Sequence, residues 1–354
     1  MVIAWTTSFA EDKEELDDSG ANHFGEVGER WQLAPRFSWK THMYNQRKMA
    51  DLVRIAVVGD VHGDWDATAD RRALQHLNPD LVLFTGDFGD EDVQIVREVA
   101  NLDMSKAVIL GNHDCCRSAL GGNIDFLYEK FTTSYLERLV GYLVSFFKRP
   151  SKPAVEQQIQ MLGDSFVGFK RVDYRHLKLS VVGARPFAMG GDGVYGKTLL
   201  SSLFGISDLK GSAEKIKELI LDAPKDHSVV ILAHNGPTGL GSERHDICGK
   251  DFSGRGGDNG DPDLAEAIKL CEEECEIPLV VFGHMHRNEG RKMVAGLNRK
   301  VFVNGAVVPR REGLNRQFTM VELQDHEVKR VTETWVKVAA GDVCIASEKV
   351  LFQL

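Results

Sequence analysis

Apolar runs too short for helices recur through the middle of the chain, and each ends in a polar residue. Residues 52–58 (LVRIAVV) lead into Gly59-Asp60, 81–84 into Thr85-Gly86-Asp87, and 107–110 into Gly111-Asn112-His113-Asp114. Runs of this length, rich in β-branched residues, suit strands buried on both faces. Between the first two runs, 66–76 reads as a helix. Between the second and third, 91–100 does the same, with Val93, Val96, Val99 and Ala100 on one face. A β-α-β-α-β series predicts parallel strands joined by right-handed crossovers, with a ligand cleft at their carboxyl ends. Downstream, 228–233 ends in His234 and 278–282 in Gly283-His284. Five strand ends can then converge on one place.

The residues left at those ends are of metal-ligand type. A pair of divalent ions needs one ligand that touches both, and a carboxylate can do so because its oxygens diverge. Asp87 is the expected bridge. Asp60, His62 and His286 would complete one ion, and Asn112, His234 and His284 the other. Mixed imidazole, carboxylate and amide donors suit manganese, iron or zinc better than calcium. A hydroxide between the ions would be the nucleophile, since coordination lowers the pKa of water toward about 7. His113 would protonate the departing alkoxide, a contribution on the order of 10² to 10⁴ in rate, and Asp114 would orient it. Taken singly, an Asp at a strand end is a turn or cap residue and a His a structural hydrogen-bonder; seven ordered coincidences are a poor account. His23, His42, His76, His176, His227 and His326 lack such context and read as surface groups.

These blocks, Asp60-Val61-His62, Gly86-Asp87, Gly111-Asn112-His113-Asp114, His234 and Gly283-His284-Met285-His286, resemble the ordered motifs of the calcineurin-like metallophosphoesterases. The gaps are 27 residues from Asp60 to Asp87, 25 from Asp87 to Asn112 and 50 from His234 to His284, and the resemblance runs over about 54–287. It implies an α/β fold of four layers, an α/β/β/α sandwich of two mixed sheets with a dimetal site at one edge. The late runs 300–303, 318–323 and 328–334 would supply the antiparallel part of the second sheet. Segments 179–187, 232–241, 246–251 and 256–264 further resemble a plant and cyanobacterial branch of that superfamily.

Where the protein Ser/Thr phosphatases of the superfamily carry Asp-Arg-Gly, this chain reads Asp90-Glu91, and its third motif ends in Asp114 rather than Glu. The expected substrate is therefore a small phosphorylated metabolite, a nucleotide or a phosphodiester, with a phosphoprotein as an alternative. Arg185, Lys250, Arg255 and Arg287 are the candidate phosphate grips, with Asn235 and His245 as hydrogen-bond donors; the bland reading of each is a solvated side chain. The non-enzyme alternative is a metal-binding regulatory or scaffold protein. A third reading comes from 191–198, which fits G-x-x-x-x-G-K-S/T, a nucleotide phosphate cradle. Such a loop should leave a strand directly, whereas residues 184–190 intervene here.

Composition changes little. The chain of 354 residues is 43% hydrophobic, enough for a large core, and its net charge of −9 argues against broad nucleic-acid binding. Its six cysteines form no C-x-x-C pair and fit an intracellular compartment, cytoplasmic or, if a native leader is missing, plastid. Cys115 and Cys116 adjoin the third motif, where oxidation would reach the acid. Residues 1–50 read as an irregular extension, 51–340 as the phosphoesterase domain and 341–354 as a tail. Within the domain, 115–164 reads as a cap-like insertion. Its apolar core, 135–147, is shorter than the roughly 20 residues that span a bilayer; it is read first as a cap, then as a membrane-surface or partner contact.

Overall fold

A computed structural model describes residues 52–119, 152–250, 256–286 and 300–354, together with the backbone of 294–297. The expected extension 1–50, the apolar run 135–147, Arg255 and Arg287 lie outside the described residues. All described residues belong to one compact unit.

The predicted series forms as read: β1 (Val53–Val58), α1 (Ala67–Leu77), β2 (Leu81–Phe84), α2 (Val93–Ala100) and β3 (Lys106–Val108). The helices start where capping chemistry allows. Asp66 accepts from the amides of Thr68 and Ala69 at 3.1 and 2.9 Å, and Asp92 caps α2 through Gln94 and Ile95. Strands β1, β2 and β3 pair in parallel.

The second sheet is built the same way. A return helix, α3 (Ala154–Leu162), is followed by β4 (Arg171–Tyr174), β5 (Leu179–Gly183), α4 (Lys197–Phe204), α5 (Leu209–Leu221), β6 (Ser228–Leu232), α6 (Pro262–Cys271) and β7 (Leu279–Phe282). Then come β8 (Val294–Leu297) and β9 (Lys300–Asn304). Strands β5, β6, β7 and β9 are parallel, with antiparallel β4 and β8 at the edges.

The chain finishes with β10 (Arg311–Glu312), β11 (Asn315–Gln324), β12 (Glu327–Val338) and β13 (Val343–Gln353). Two expectations are corrected here. Runs 318–323 and 328–334 join the first sheet, in the order β13-β12-β11-β1-β2-β3, while 300–303 lies parallel to β7 in the second. Residues 341–354, read as a tail, form β13, paired along β12.

Alternate residues of each central strand explain the layering. Ile55, Val57, Leu83 and Ile109 meet Val181, Val230, Leu232, Val281 and Val303 in a core built almost wholly from the two sheets. Their neighbours Ala56, Val58, Phe84, Ile231 and Phe282 pack with helix residues such as Leu74, Val96, Ile216 and Ile268. Burial of both faces is why these strands read as unbroken apolar runs, and the polar residues cluster where the runs stop.

Candidate metal centre

The ends of β1, β2, β6 and β7 and the loop after β3 bring Asp60, His62, Asp87, Asn112, His234, His284 and His286 together. Three groups of ligand atoms each lie within 4.8 Å: Asp60-His62-His286, Asp87-His234-His284 and His62-Asp87-His113. Asp87 Oδ2 stands between the groups, 3.4 Å from His234 Nε2 and 3.7 Å from His62 Nε2. Asp60 Oδ2 lies 3.4 Å from His286 Nε2, and Asn112 Oδ1 lies 3.0 Å from His234 Nε2. The ring nitrogens of His62 and His286 face each other at 2.9 Å.

The backbone is forced to make this happen. His62, Asp87 and His284 have φ of 45°, 49° and 62°, a left-handed conformation that costs non-glycine residues about 1 kcal/mol or more. The glycines beside the ligands are equally constrained. A Cβ on Gly111 would run into Asp87 Oδ1 and the His234 ring, and one on Gly283 into Asp60 Oδ1.

The donor set fits a cation. Asp60, Asp87 and Asp114 are all at most 1% exposed, and among the described residues no lysine or arginine pairs with any of them. His234 Nδ1 donates to the Thr85 carbonyl at 2.7 Å, which fixes the tautomer and turns Nε2 toward Asp87, as in a metal-ligating histidine. Against the burial that would lower it, Asp87 draws the His234 pKa up to about 10. Against the burial that would raise it, His234 in turn holds Asp87 far below the usual carboxylate range. Burial and the neighbouring His234 push His284 down to about 4, leaving a neutral imidazole at neutral pH. A cation among these groups would satisfy the negative field that the histidines answer only in part.

Asp114 is placed differently from the expectation. Its carboxylate does not orient His113; it accepts the amides of Asp87, Phe88 and Gly111, each at 2.8 Å, and so clamps the second and third motif loops together. Burial, then Asp87, push its pKa well up. The carboxylate beside His113 belongs to Asp90, whose Oδ1 is 2.7 Å from His113 Nδ1. That partner lies 23 positions away in sequence, and only its place three residues after Asp87 could have hinted at it. Asn304, also missed, donates to the Met285 carbonyl at 2.7 Å and steadies the turn between His284 and His286. It ends β9 as the ligands end other strands.

Two of the suggested phosphate contacts are corrected by burial. Arg185, 1% exposed, donates to Asp261 at 2.7 Å and to Asp263 at 2.8 Å, so its charge is spent inside the protein. Asn235, also buried, gives Nδ2 to the Asn259 carbonyl. His245 is exposed and Lys250 half-buried on the loop between β6 and α6. His227, read as a surface group, is buried and pairs through Nδ1 with Ser180 Oγ. At Lys197 the helix α4 begins after Gly196, but thirteen residues, 184–196, separate it from β5, unlike a phosphate cradle. The Cys115 and Cys116 thiols are pushed up by burial, away from the thiolate that oxidation needs. No described helix is long and apolar enough to cross a membrane.

Residues 53–288 match the family described as calcineurin-like phosphoesterase. No curated protein sequence matches the chain. Among solved structures, a dimetal phosphatase from Danio rerio covers 83% of this chain and 98% of its own, at 11% identity and a TM-score of 0.44. A predicted phosphoesterase from Streptococcus pneumoniae covers 84% and 98%, at 12% identity and a TM-score of 0.29. An archaeal phosphodiesterase covers 84% and 99%, at 10% identity and a TM-score of 0.30. Likenesses at these scores carry nothing over about substrate.

Proposed function

The chain belongs to the calcineurin-like phosphoesterases, a family of metal-dependent phosphoric ester hydrolases, and from that premise we propose a two-cation centre that hydrolyses a small phosphate ester. The observation that carries this reading is the position of Asp87, whose one carboxylate stands between the His62 side and the His234 side of the cluster. Asp60, His62 and His286 would hold one ion and Asn112, His234 and His284 the other, with Asp87 available to both. Manganese, iron or zinc suits these donors. When bound, the ions supply an activated water and offset the charge on the phosphate.

The chain's own contribution is the proton. As the new P–O bond forms from the oxygen of a water that has released one proton to solvent, the bond to the leaving oxygen breaks with its electron pair, and His113 gives that oxygen a proton. Asp90 on Nδ1 holds the ring so that Nε2 faces the ester and stabilises the imidazolium before transfer. Asp114 acts at one remove, keeping the loops of Asp87 and His113 in register. A small metabolite, nucleotide or phosphodiester fits better than a phosphoprotein, because Glu91 replaces the arginine of the protein phosphatases and turns its carboxylate to the amides of Arg117 and Ser118. With Arg185 and Asn235 buried in internal pairs, His245 and Lys250 are the candidate phosphate contacts left among the described residues.

The test is turnover of p-nitrophenyl phosphate and bis-p-nitrophenyl phosphate by protein loaded with manganese, iron or zinc, beside His113→Ala and Asp87→Asn. Metal-dependent turnover that both variants lose is expected, and the preferred ester assigns mono- or diesterase. Turnover that survives Asp87→Asn would overturn the shared-carboxylate reading.

A further inference from the structure

The short 3₁₀ turn His113–Cys115 carries the proposed acid, and contacts made by the two ends of the inserted segment 115–164 hold it on either side. On the entry side, Glu91 Oε1 accepts the amides of Arg117 and Ser118 at 2.8 and 2.5 Å. The Glu91 amide meanwhile donates to the His113 carbonyl at 3.0 Å. Glu91 does this from a left-handed backbone, φ 56°, which a non-glycine residue keeps only when its surroundings insist on it. Its neighbour Asp90 is the residue on His113 Nδ1.

On the return side, Gln158 of α3 is fully buried, and its Nε2 donates to the Asp114 carbonyl at 2.8 Å. A buried glutamine aimed at a carbonyl one residue from the acid is expensive unless the bond is made. The two contacts bracket the turn: one fixes the His113 carbonyl and the loop bearing Asp90, the other fixes the peptide that follows Asp114.

We infer that Glu91 and Gln158 are positioning residues for the His113 acid, tying the two ends of the inserted segment to the group that protonates the leaving oxygen. The inference rests on the proposed role of His113. Neither side chain is placed to touch the ester or the ions, so both act through the turn. Their loss should matter in proportion to how much the leaving group needs a proton.

That proportion is measurable. The manganese-loaded protein, Glu91→Gly, Gln158→Met and His113→Ala are compared on p-nitrophenyl phosphate, whose leaving group departs readily as an anion, and on phenyl phosphate, whose leaving group does not. Glu91→Gly removes the carboxylate while relieving the left-handed strain, so it remains informative if Gln158→Met fails to fold. The expected result is a fall in kcat of about tenfold on the phenyl ester, a modest part of what a placed acid contributes. On the p-nitrophenyl ester the fall should be under about twofold, with KM unchanged on both. Equal losses on the two esters, or none, would overturn the positioning role. If His113→Ala itself fails to discriminate between the esters, the acid assignment has failed instead, and the two failures are told apart.

Discussion

Two buried clusters of acids in this molecule solve the same electrostatic problem in opposite ways. Beside β5, Asp261 and Asp263 share Arg185, and Ser212 donates to Asp263 as well. At the strand ends, Asp60, Asp87 and Asp114 are as deeply buried, yet their described partners are histidines, backbone amides and the Thr85 hydroxyl, with no permanent cation among them. Burying an ionised carboxylate without a compensating partner is costly. The first cluster carries its own permanent cation and is finished when the chain folds; the second is built around a charge that comes from outside. The difference separates a structural network from a binding centre where the residue types alone do not.

The sharpest way to break the comparison is to exchange an acid in each cluster. Asp87→Asn should cost on the order of 10³-fold in turnover, since a metal centre supplies several kcal/mol of charge stabilisation, while the metal-free protein melts near the wild-type temperature. Asp263→Asn should do the reverse, preserving turnover per folded molecule and lowering the melting temperature. Steady-state kinetics beside calorimetry check both.

Arg185→Met strips the first cluster of its cation and leaves two acids buried together. Breaking a buried pair in this way typically costs about 3–5 kcal/mol, readable as a lower urea midpoint with unchanged slope. If Arg185 gripped substrate, as the sequence alone invited, KM would rise instead.

Manganese should separate the clusters next. A cation that binds only the folded protein stabilises it by about 2.7 kcal/mol at a hundredfold excess over Kd. The rise in melting temperature is expected for wild type and Arg185→Met alike and should be largely lost in Asp87→Asn.

Measured per pH unit, the smallest effect comes from titration. Burial, partly offset by Arg185 and reinforced by Asp263, pushes Asp261 up from 3.8 to about 7. The folded state therefore holds a proton that the unfolded state has released between those values, so stability should fall as pH rises through that window, by at most about 1.4 kcal/mol per unit. Asp261→Asn should flatten the dependence in urea titrations of the metal-free protein.

Much of this was readable from the chain. The strands β1, β2, β3, β6 and β7 announce themselves as apolar runs because both faces are buried, and their polar ends mark the cleft. What escaped depended on distance in sequence. Asp114 sits next to His113 and looks like its partner, but the 3₁₀ turn rolls it inward onto three amides, and Asp90 arrives from another loop. Arg185 lies on a loop that reads as exposed, and its true partners are Asp261 and Asp263, more than seventy residues on. The late strands could be seen as strands but not assigned to a sheet, since the choice rests on register between β1 and β11, with Val53 facing Leu323. The run that becomes β13 was passed over because its residues are largely exposed and show no clear apolar alternation.

The proposed centre turns on two cations sharing Asp87. Diffraction from crystals of manganese-loaded protein, recorded at the manganese absorption edge, tests it most directly. Two anomalous peaks per chain are expected, one on each side of the Asp87 carboxylate, beside His62 and His286 and beside His234 and His284. A single peak, or two peaks with Asp87 bound to neither or to only one, would contradict it.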